Sequence, residues 1–251
     1  MTSTRSDLPN TIFSIIFWLL LWTVLGKVVG EVILLPTPID VARAFIPLLA
    51  DESTYISISI TLFKIISGLL LAFLCAFLSS FLSYVNKTFR ALSASITRII
   101  RATPVASIVI LLLVWIESRN LSVVISFLMV FPIVHENILK GLDETDDDLL
   151  EAASSYHVSA IKKARYVYLP SVIPYFESAL SLSVGLSFKS GIAAEVISLP
   201  SGSIGERLYK AKVYLETPEL FAWTIMIIAL SFLLERCFFV LAVAISGRIL
   251  K

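Results

Sequence analysis

Long apolar stretches alternate with short polar ones along almost the whole chain. Six apolar stretches can be marked, at about residues 11–29, 55–83, 92–116, 121–139, 170–198 and 218–246. A helix needs about 20 apolar residues to cross the hydrocarbon core of a bilayer, so each stretch is long enough to span it. The pattern therefore predicts an all-α polytopic membrane protein with about six transmembrane helices.

Two of these stretches need a closer reading. The first is followed by Gly26-Lys27-Val28 and by no small-residue cleavage site, so we expect a retained span and not a removed signal peptide. The third contains Pro104, and proline interrupts helical hydrogen bonding. We expect a kink at Pro104, or a change there from an interfacial helix to a spanning one.

The composition agrees with the pattern. The 251 residues are 57% hydrophobic and 16% charged, with a mean hydropathy of +0.90, whereas average globular usage is about 45–50% apolar. No polar interval is long enough to fold by itself, so residues 1–251 are expected to form a single transmembrane domain. The net charge of +1 gives no case for a nucleic-acid partner. The two histidines lie far apart in the sequence, and we expect neither a metal site nor a catalytic centre.

An even number of spans places both termini on one side of the membrane, and the basic residues indicate which side. If the termini are inside, eleven Lys and Arg residues lie inside and six outside. The inner set is Arg5, Lys87, Arg90, Arg98, Arg101, Lys140, Lys162, Lys163, Arg165, Arg248 and Lys251, and the outer set is Lys27, Arg43, Arg119, Arg207, Lys210 and Lys212. The positive-inside rule then predicts cytoplasmic N- and C-termini and a cytoplasmic loop at 143–169.

That loop belongs to the longest strongly polar interval of the chain. Its acids come first and its bases last, which suits the dipoles of short helices. Asp148 with Glu151 reads as a variant of the capping box, and Ser159 is placed to cap a second helix. Pro170 marks the start of the next apolar stretch. We therefore expect two short helices outside the membrane, forming a contact surface for another protein.

The loop also carries a family resemblance. Glu151-Ala152-Ala153, with His157 six residues after Glu151 and a final Leu-Pro, resembles the EAA loop of ABC importer permeases. The family's usual glycine falls at His157, a residue type that tolerates a left-handed turn. In that family the loop forms the coupling helices that sit in a groove of the ATPase subunit. The resemblance implies coupling roles for Glu151, Ala152, Ala153, Tyr156, His157, Leu169 and Pro170.

Further motifs point to one branch of that family. Leu34-Leu35-Pro36-Thr37-Pro38, in which Thr37 can cap a short interfacial helix, resembles the nitrate, taurine and alkanesulfonate branch. Thr61-Leu62-Phe63-Lys64 with Gly68 is similar to its second-span signature, with Lys64 where Arg is common. The segment from Gly185 to Glu195 is similar to its fifth-span signature. The likeness runs from about residue 34 to 245.

Three charged residues lie within predicted spans, where a charge costs about 2.5–3.5 kcal/mol even on insertion scales. They are Lys64, Lys189 and Glu195. We expect Lys64 and Lys189, with Ser190 and Glu195, to line a pathway that favours an anionic solute; for Lys64, snorkelling to the interface is an equal alternative. Lys189 and Glu195 are about 240° apart around their helix, so each needs a partner elsewhere.

The resemblance implies a type I ABC importer permease fold in a bacterial cell membrane, and a transport function without enzymatic activity. It further implies two cytoplasmic ATPases that bind ATP and Mg, since this chain has no nucleotide site or cofactor of its own. The other implied partners are membrane lipid, a solute-binding protein outside, and a second permease subunit, with a homodimer preferred over a paralogue. Nitrate, sulfonates, taurine and thiamine precursors stay open as solutes. The alternatives are an ion-coupled secondary transporter using Lys64, Lys189 and Glu195, and an intramembrane hydrolase.

Overall fold

The computed structural model describes residues 7–249, which are helical over most of their length. Successive helices are connected by short turns. They are α1 (Asp7–Val29), α2 (Pro38–Ala50), α3 (Glu52–Val85), α4 (Lys87–Ala102), α5 (Val105–Leu112), α6 (Ser118–Asp143), α7 (Asp147–Ser155), α8 (Ala160–Lys163), a π-helical turn (Ala164–Tyr168), α9 (Leu169–Ser198), α10 (Ile204–Val213) and α11 (Thr217–Ile249).

Five of the helices are long and apolar enough to cross a membrane, namely α1, α3, α6, α9 and α11. The stretch predicted at 92–116 is not one continuous span. It is divided between α4 and α5, and the helix direction changes by 102° between them, at Thr103 and Pro104. The bend predicted at Pro104 is thus confirmed, and the count becomes six only if α4 and α5 are taken together.

The bundle has two recognisable ends. At one, which we call the loop end, α4, α7 and α8 gather around the C-terminal ends of α3 and α6 and the start of α9. At the other, the cap end, α2 packs against α10 and the first turns of α11 through Val41, Ile204 and Trp223. The C-terminal part of α1 also lies at the cap end, where the Trp22 indole donates to the Pro36 carbonyl at 2.9 Å. The C-terminal part of α11 lies toward the loop end, where Ala242 packs in the same cluster as Leu142 and Val172.

Ion pairs hold α4 across the loop end. The Arg90 guanidinium makes two hydrogen bonds to the Asp143 carboxylate at the end of α6, at 2.6 and 3.0 Å. Arg101, in the last turn of α4, pairs with Glu136 of α6. Because Leu92, Ile96 and other apolar side chains of α4 remain exposed, the helix has the character of one lying along a membrane interface.

Small residues bring α3, α6 and α9 into close contact at the centre. Gly68 of α3 lies against the backbone of α6, where an added Cβ would overlap the Val123 carbonyl oxygen and approach Ser126 to 2.9 Å. Gly191 of α9 is equally tight: an added Cβ would come within 2.6 Å of Ile65. Packing between membrane helices depends on such small residues because lipid provides no hydrophobic force to join them.

At the cap end, α2 begins as the sequence predicts. The Thr37 side chain accepts a hydrogen bond from the Asp40 amide, and the Asp40 carboxylate accepts one from the Thr37 amide, completing a capping box with Pro38 in the first turn. The hydroxyl and the backbone N–H of Thr37 both donate to Asp40 and hold the pKa of its carboxyl below the usual value. The capping box thus fixes the start of α2, one of the helices of the cap end.

The contact at Gly68 gives a test of the packing. We expect Gly68→Ala to lower the free energy of unfolding by about 1–3 kcal/mol, because the new methyl group can be accommodated only if α3 and α6 move apart. The measurement is thermal unfolding of the purified protein in detergent. Leu70→Ala is the control, since Leu70 is 55% exposed on the same helix and makes little contact within the bundle. Equal melting temperatures for Gly68→Ala and the unmodified protein would contradict the close contact.

Candidate functional site

The polar loop forms α7 and α8 at the expected places, but α8 is a single turn that continues without a break through the π-helical turn into α9. The first cap also differs from the prediction. Asp146, and not Asp148, is the N-cap of α7, and its carboxylate accepts the amides of Asp148 at 2.9 Å and Leu149 at 3.4 Å. Ser159 does occupy the N-cap position of α8, although its side chain makes no capping hydrogen bond. The acids that follow Asp146 favour the positive end of the α7 dipole.

The turn after α7 depends on His157. Its φ of +52° is left-handed, as expected where the family has glycine. The His157 amide donates to the Ser154 carbonyl at 3.0 Å, and the Val158 amide donates to the Ala153 carbonyl at 2.9 Å. These two bonds make a complete Schellman motif, which ends α7 and reverses the chain toward α8. The Lys163 ammonium, 2.8 Å from the Ser154 hydroxyl, ties the two short helices together.

The outer face of this hairpin is both polar and apolar. Of the residues predicted to contact an ATPase, Glu151, Ala152, Tyr156 and His157 are exposed, Tyr156 at 83%, whereas Ala153 is buried against the bundle. Three more large apolar side chains are exposed here that the sequence analysis did not identify. They are Leu149, Ile161 and Tyr166, which are 54%, 82% and 67% exposed. Their signal in the sequence is an apolar residue on a helix that lies outside every span.

The hairpin joins the bundle through the π-helical turn at 164–168. Leu169 and Pro170, two of the predicted coupling residues, form the first turn of α9 directly after it and are half-buried. The start of α9 packs on the end of α6, where Gly141 lies close to the Val172 backbone. Any displacement of the hairpin therefore acts on α6 and α9 at once.

Glu195 lies near the other end of α9, and its surroundings are structural. The side chain is 0% exposed, and one carboxyl oxygen accepts the Thr61 hydroxyl of α3 at 2.8 Å and the Gly205 amide of α10 at 3.3 Å. Thr61 in turn accepts the Ile204 amide at 3.0 Å. The first two amides of α10 are thus bonded to side chains of two membrane helices. The sequence led us to expect Glu195 on the pathway, but in this conformation its side chain is buried and lines no open surface.

Lys64 lies one turn along α3 from Thr61. Its side chain is half-buried, and its positive charge attracts the Glu195 carboxylate without making a contact within 4 Å in the part of the chain that the structure describes. This position favours neither of the two alternatives considered from the sequence. It favours a third role, in which Lys64 offsets the buried carboxylate of Glu195.

Lys189 lies on a different face of α9, which is open in this chain. The exposed residues of that face are Pro174, Ser178, Ser181, Leu182, Lys189 and Ala193, so only Leu182 is large and apolar. Between them, Gly185 is covered by the half-buried Glu235 of α11, a carboxylate that the sequence analysis did not place in the site. The predicted pathway residue Ser190 is buried beside this face, and its hydroxyl lies 2.8 Å from the Leu186 carbonyl of its own helix.

A salt bridge stabilises the helix that Glu195 holds. In α10 the Lys210 ammonium lies 2.8 Å from the Glu206 carboxylate, and this hydrogen bond, with one from the Gly202 amide, keeps the pKa of Glu206 below its ordinary value. Within residues 7–249 no group of three or more His, Cys, Asp or Glu side chains could hold a metal ion. The arrangement offers recognition surfaces and a polar membrane face.

A bundle of membrane helices with an exposed polar hairpin at one end and a polar helix face within it is the arrangement expected of a transport protein. Residues 68–251 match the family described as binding-protein-dependent transport system inner membrane component, and the chain belongs to that family. It is the permease component of an ABC importer, a multi-pass membrane protein and not an enzyme. The resemblance inferred from the sequence is confirmed.

Relatives from bacteria agree with this assignment. A probable ABC transporter permease protein of Haemophilus influenzae is 27% identical over 173 residues, covering 68% of this chain and 70% of the relative. The putative aliphatic sulfonates transport permease protein SsuC of Escherichia coli is 25% identical over 186 residues, covering 73% and 70%. The second of these belongs to the branch that the motifs indicated.

The fold also matches a solved structure. The crystal structure of an amino acid ABC transporter with histidines superimposes with a TM-score of 0.60 at 21% identity, over 78% of this chain and 94% of that chain. At this identity the likeness concerns the fold alone. It supports the expected all-helical permease fold.

The contacts of Glu195 lead to a testable prediction. Glu195→Ala leaves the Gly205 amide without its acceptor in a buried position, which costs about 1–3 kcal/mol. We expect faster hydrogen exchange of the α10 amides, measured by mass spectrometry. Gly205→Ala should have the same effect, because an added Cβ would overlap the backbone and Cβ of Glu195.

Glu52→Ala serves as the control, since this exposed glutamate is close to the cap end and has no contact with α10 among the described hydrogen bonds and salt bridges. If the α10 amides exchange at an unchanged rate in Glu195→Ala and in Gly205→Ala, Glu195 does not position α10.

Proposed function

We propose that the hairpin of α7 and α8 is the docking site for a cytoplasmic ATPase, and that two such subunits drive two permease subunits of this kind. ATP and Mg are bound by the ATPases. The loop end then lies in the cytoplasm together with both termini, as the distribution of basic residues predicts. A solute-binding protein delivers the solute at the cap end, and closure of the ATPases alternates the bundle between outward- and inward-open forms.

The exposed apolar side chains of the hairpin carry this proposal. Leu149 lies in α7 and Tyr156 directly follows it, whereas Ile161 and Tyr166 lie in the first turns of the Ala160–Ser198 helix, ahead of α9; all four are more than half exposed. Exposed apolar side chains grouped in this way, with polar residues around them, mark a protein interface. Aromatic anchors such as Tyr156 typically provide much of the binding energy at an interface.

The open face of α9 supports a pathway shared with a second subunit. Small and hydroxyl-bearing residues facing lipid would gain nothing there, and a lysine would be costly. Against a second copy of the chain, the same residues can approach closely and surround a polar passage. Lys189 is then a cation in that passage, and Glu235 lies one helical turn from it beside Gly185.

We propose a small anionic or polar solute of the sulfonate kind. The name of the E. coli relative, an aliphatic sulfonates permease, and the single exposed lysine of the α9 face both favour an anion. Nitrate, taurine and thiamine precursors are the other candidate solutes. The exposed polar groups of the α9 face are two serines and Lys189, which can favour an anion but can distinguish few anions from one another, so the binding protein makes most of the selection.

An ion-coupled transporter is less well supported. It was expected to use Lys64, Lys189 and Glu195 together, but Glu195 and Lys64 lie beside α10 while Lys189 lies on the open face of α9. Uptake by proteoliposomes that contain ATP and no ion gradient distinguishes the two mechanisms. Uptake that needs the gradient and ignores ATP would favour the secondary transporter.

The docking proposal predicts the effect of one charge reversal. Glu151→Lys places a cation in the centre of the exposed hairpin surface, and we expect several-fold less ATPase to co-purify, or ATP hydrolysis that no longer depends on the solute. Glu144→Lys is the matched control, because it makes the same change at an exposed position outside α7. Identical ATPase recovery and coupling in both variants would remove Glu151 from the interface.

The pathway proposal makes a separate prediction for Lys189. Lys189→Met should lower solute uptake several-fold with ATPase assembly intact, since it removes the cation and keeps the length of the side chain. Lys189→Arg retains the charge and should recover much of the uptake. The measurement is the initial rate of uptake of a radiolabelled alkanesulfonate. A rate that is unchanged in Lys189→Met would place this lysine outside the pathway.

A further inference from the structure

An apolar groove of about 580 Å³ opens at the loop end, beneath the hairpin. Phe77 and Phe81 of α3 form one side, Ile138 and Leu142 of α6 form its floor, and Leu169 at the start of α9 lies opposite. Its volume falls within the range of about 300–1,000 Å³ that is common for sites of small organic ligands. Of the residues given a coupling or pathway role above, Leu169 alone lines this groove.

The groove opens toward the hydrocarbon of the membrane. Phe77 and Phe81 are 56% and 59% exposed, and they continue the apolar outer face of α3 that includes Leu70 and Leu74. The same groove reaches the end of the span, since Val85, the last residue of α3, also lines it. An occupant can therefore enter sideways from the bilayer, with one end at the depth of the lipid headgroups.

The single charged residue that lines the groove is Lys163. Its ammonium is 2.8 Å from the Ser154 hydroxyl and has no carboxylate within 4 Å among residues 7–249. Lys162 and Arg165 lie beside it in sequence but do not line the groove, so its charge comes from Lys163. Basic pockets between membrane helices on the cytoplasmic side are suited to anionic headgroups.

We propose that this groove binds one acyl chain of an anionic phospholipid, with the headgroup phosphate at Lys163. The apolar lining would hold the acyl chain, and the Lys163 ammonium, which has no carboxylate partner among residues 7–249, would bind the phosphate. The bound lipid would then lie between α3 and the π-helical turn that joins the hairpin to α9. That this leaflet is the cytoplasmic one rests on the proposed function, whereas binding of the lipid can be measured without transport.

The test uses the full-length permease in nanodiscs containing equal amounts of phosphatidylglycerol and phosphatidylcholine. In separate samples, one of the two lipids carries a photoreactive diazirine on its acyl chain, and adducts are mapped by mass spectrometry. We expect the phosphatidylglycerol probe to label residues of the groove, such as Phe81 and Leu142, several-fold more than the phosphatidylcholine probe does. Labelling spread evenly along the outer face of α3 would overturn the proposal.

Two pairs of variants make the result specific. Lys163→Gln should abolish the preference for phosphatidylglycerol, whereas Lys162→Gln, at the exposed neighbouring position, should keep it. Ala160→Trp should reduce labelling by either probe, because Ala160 lines the groove; Ala91→Trp, at an exposed alanine of α4 outside it, should not. Melting temperatures confirm that each variant is folded. An equal loss of preference in Lys163→Gln and Lys162→Gln would mean that general surface charge attracts the lipid, and the site would be rejected.

Discussion

Close packing of three helices around two glycines is the constraint on which the rest of the structure depends. Gly68 brings α3 against the backbone of α6, Gly191 of α9 leaves room for the Ile65 side chain of α3, and Ser126 lies next to both glycines. Van der Waals contact at this distance replaces the hydrophobic force that is absent between helices in lipid. Because α6 and α9 also hold the two ends of the hairpin, a movement there is transmitted to a tightly packed core that resists local deformation.

The polar elements are placed at opposite ends of this core. At the loop end, Arg90 and Asp143 fasten α4 to α6, and the hairpin projects its apolar side chains away from the bundle. At the cap end, Glu195 and Thr61 bond to the first amides of α10. The long helices α3 and α9 contribute to both ends. A rotation of either helix would therefore alter the contacts at the loop end and the cap end together.

Much of this arrangement could be predicted from the sequence, because hydropathy and turn chemistry are local. The spans and the bend at Pro104 follow from a few neighbouring residues. The left-handed turn at His157 follows from the family resemblance, which places a glycine at that position. The cap of α7 could not be chosen, since Asp146 and Asp148 are chemically equivalent and only the backbone path distinguishes them. The burial of Glu195 depends on α10, and the exposure of Ile161 depends on how the hairpin meets the bundle. No local sequence pattern predicts either of these features.

The π-helical turn at 164–168 has a consequence for how the chain tolerates change. A helix advances by about 100° for every residue, so one residue more or fewer in this turn would swing the hairpin about a quarter of a circle relative to α9. Tyr156 and Ile161 would then point in a new direction while Lys189 kept its own. The number of residues between the hairpin and α9 is thus constrained more strictly than their identity. The length of the turn determines how the exposed surface of the hairpin is oriented relative to the open face of α9.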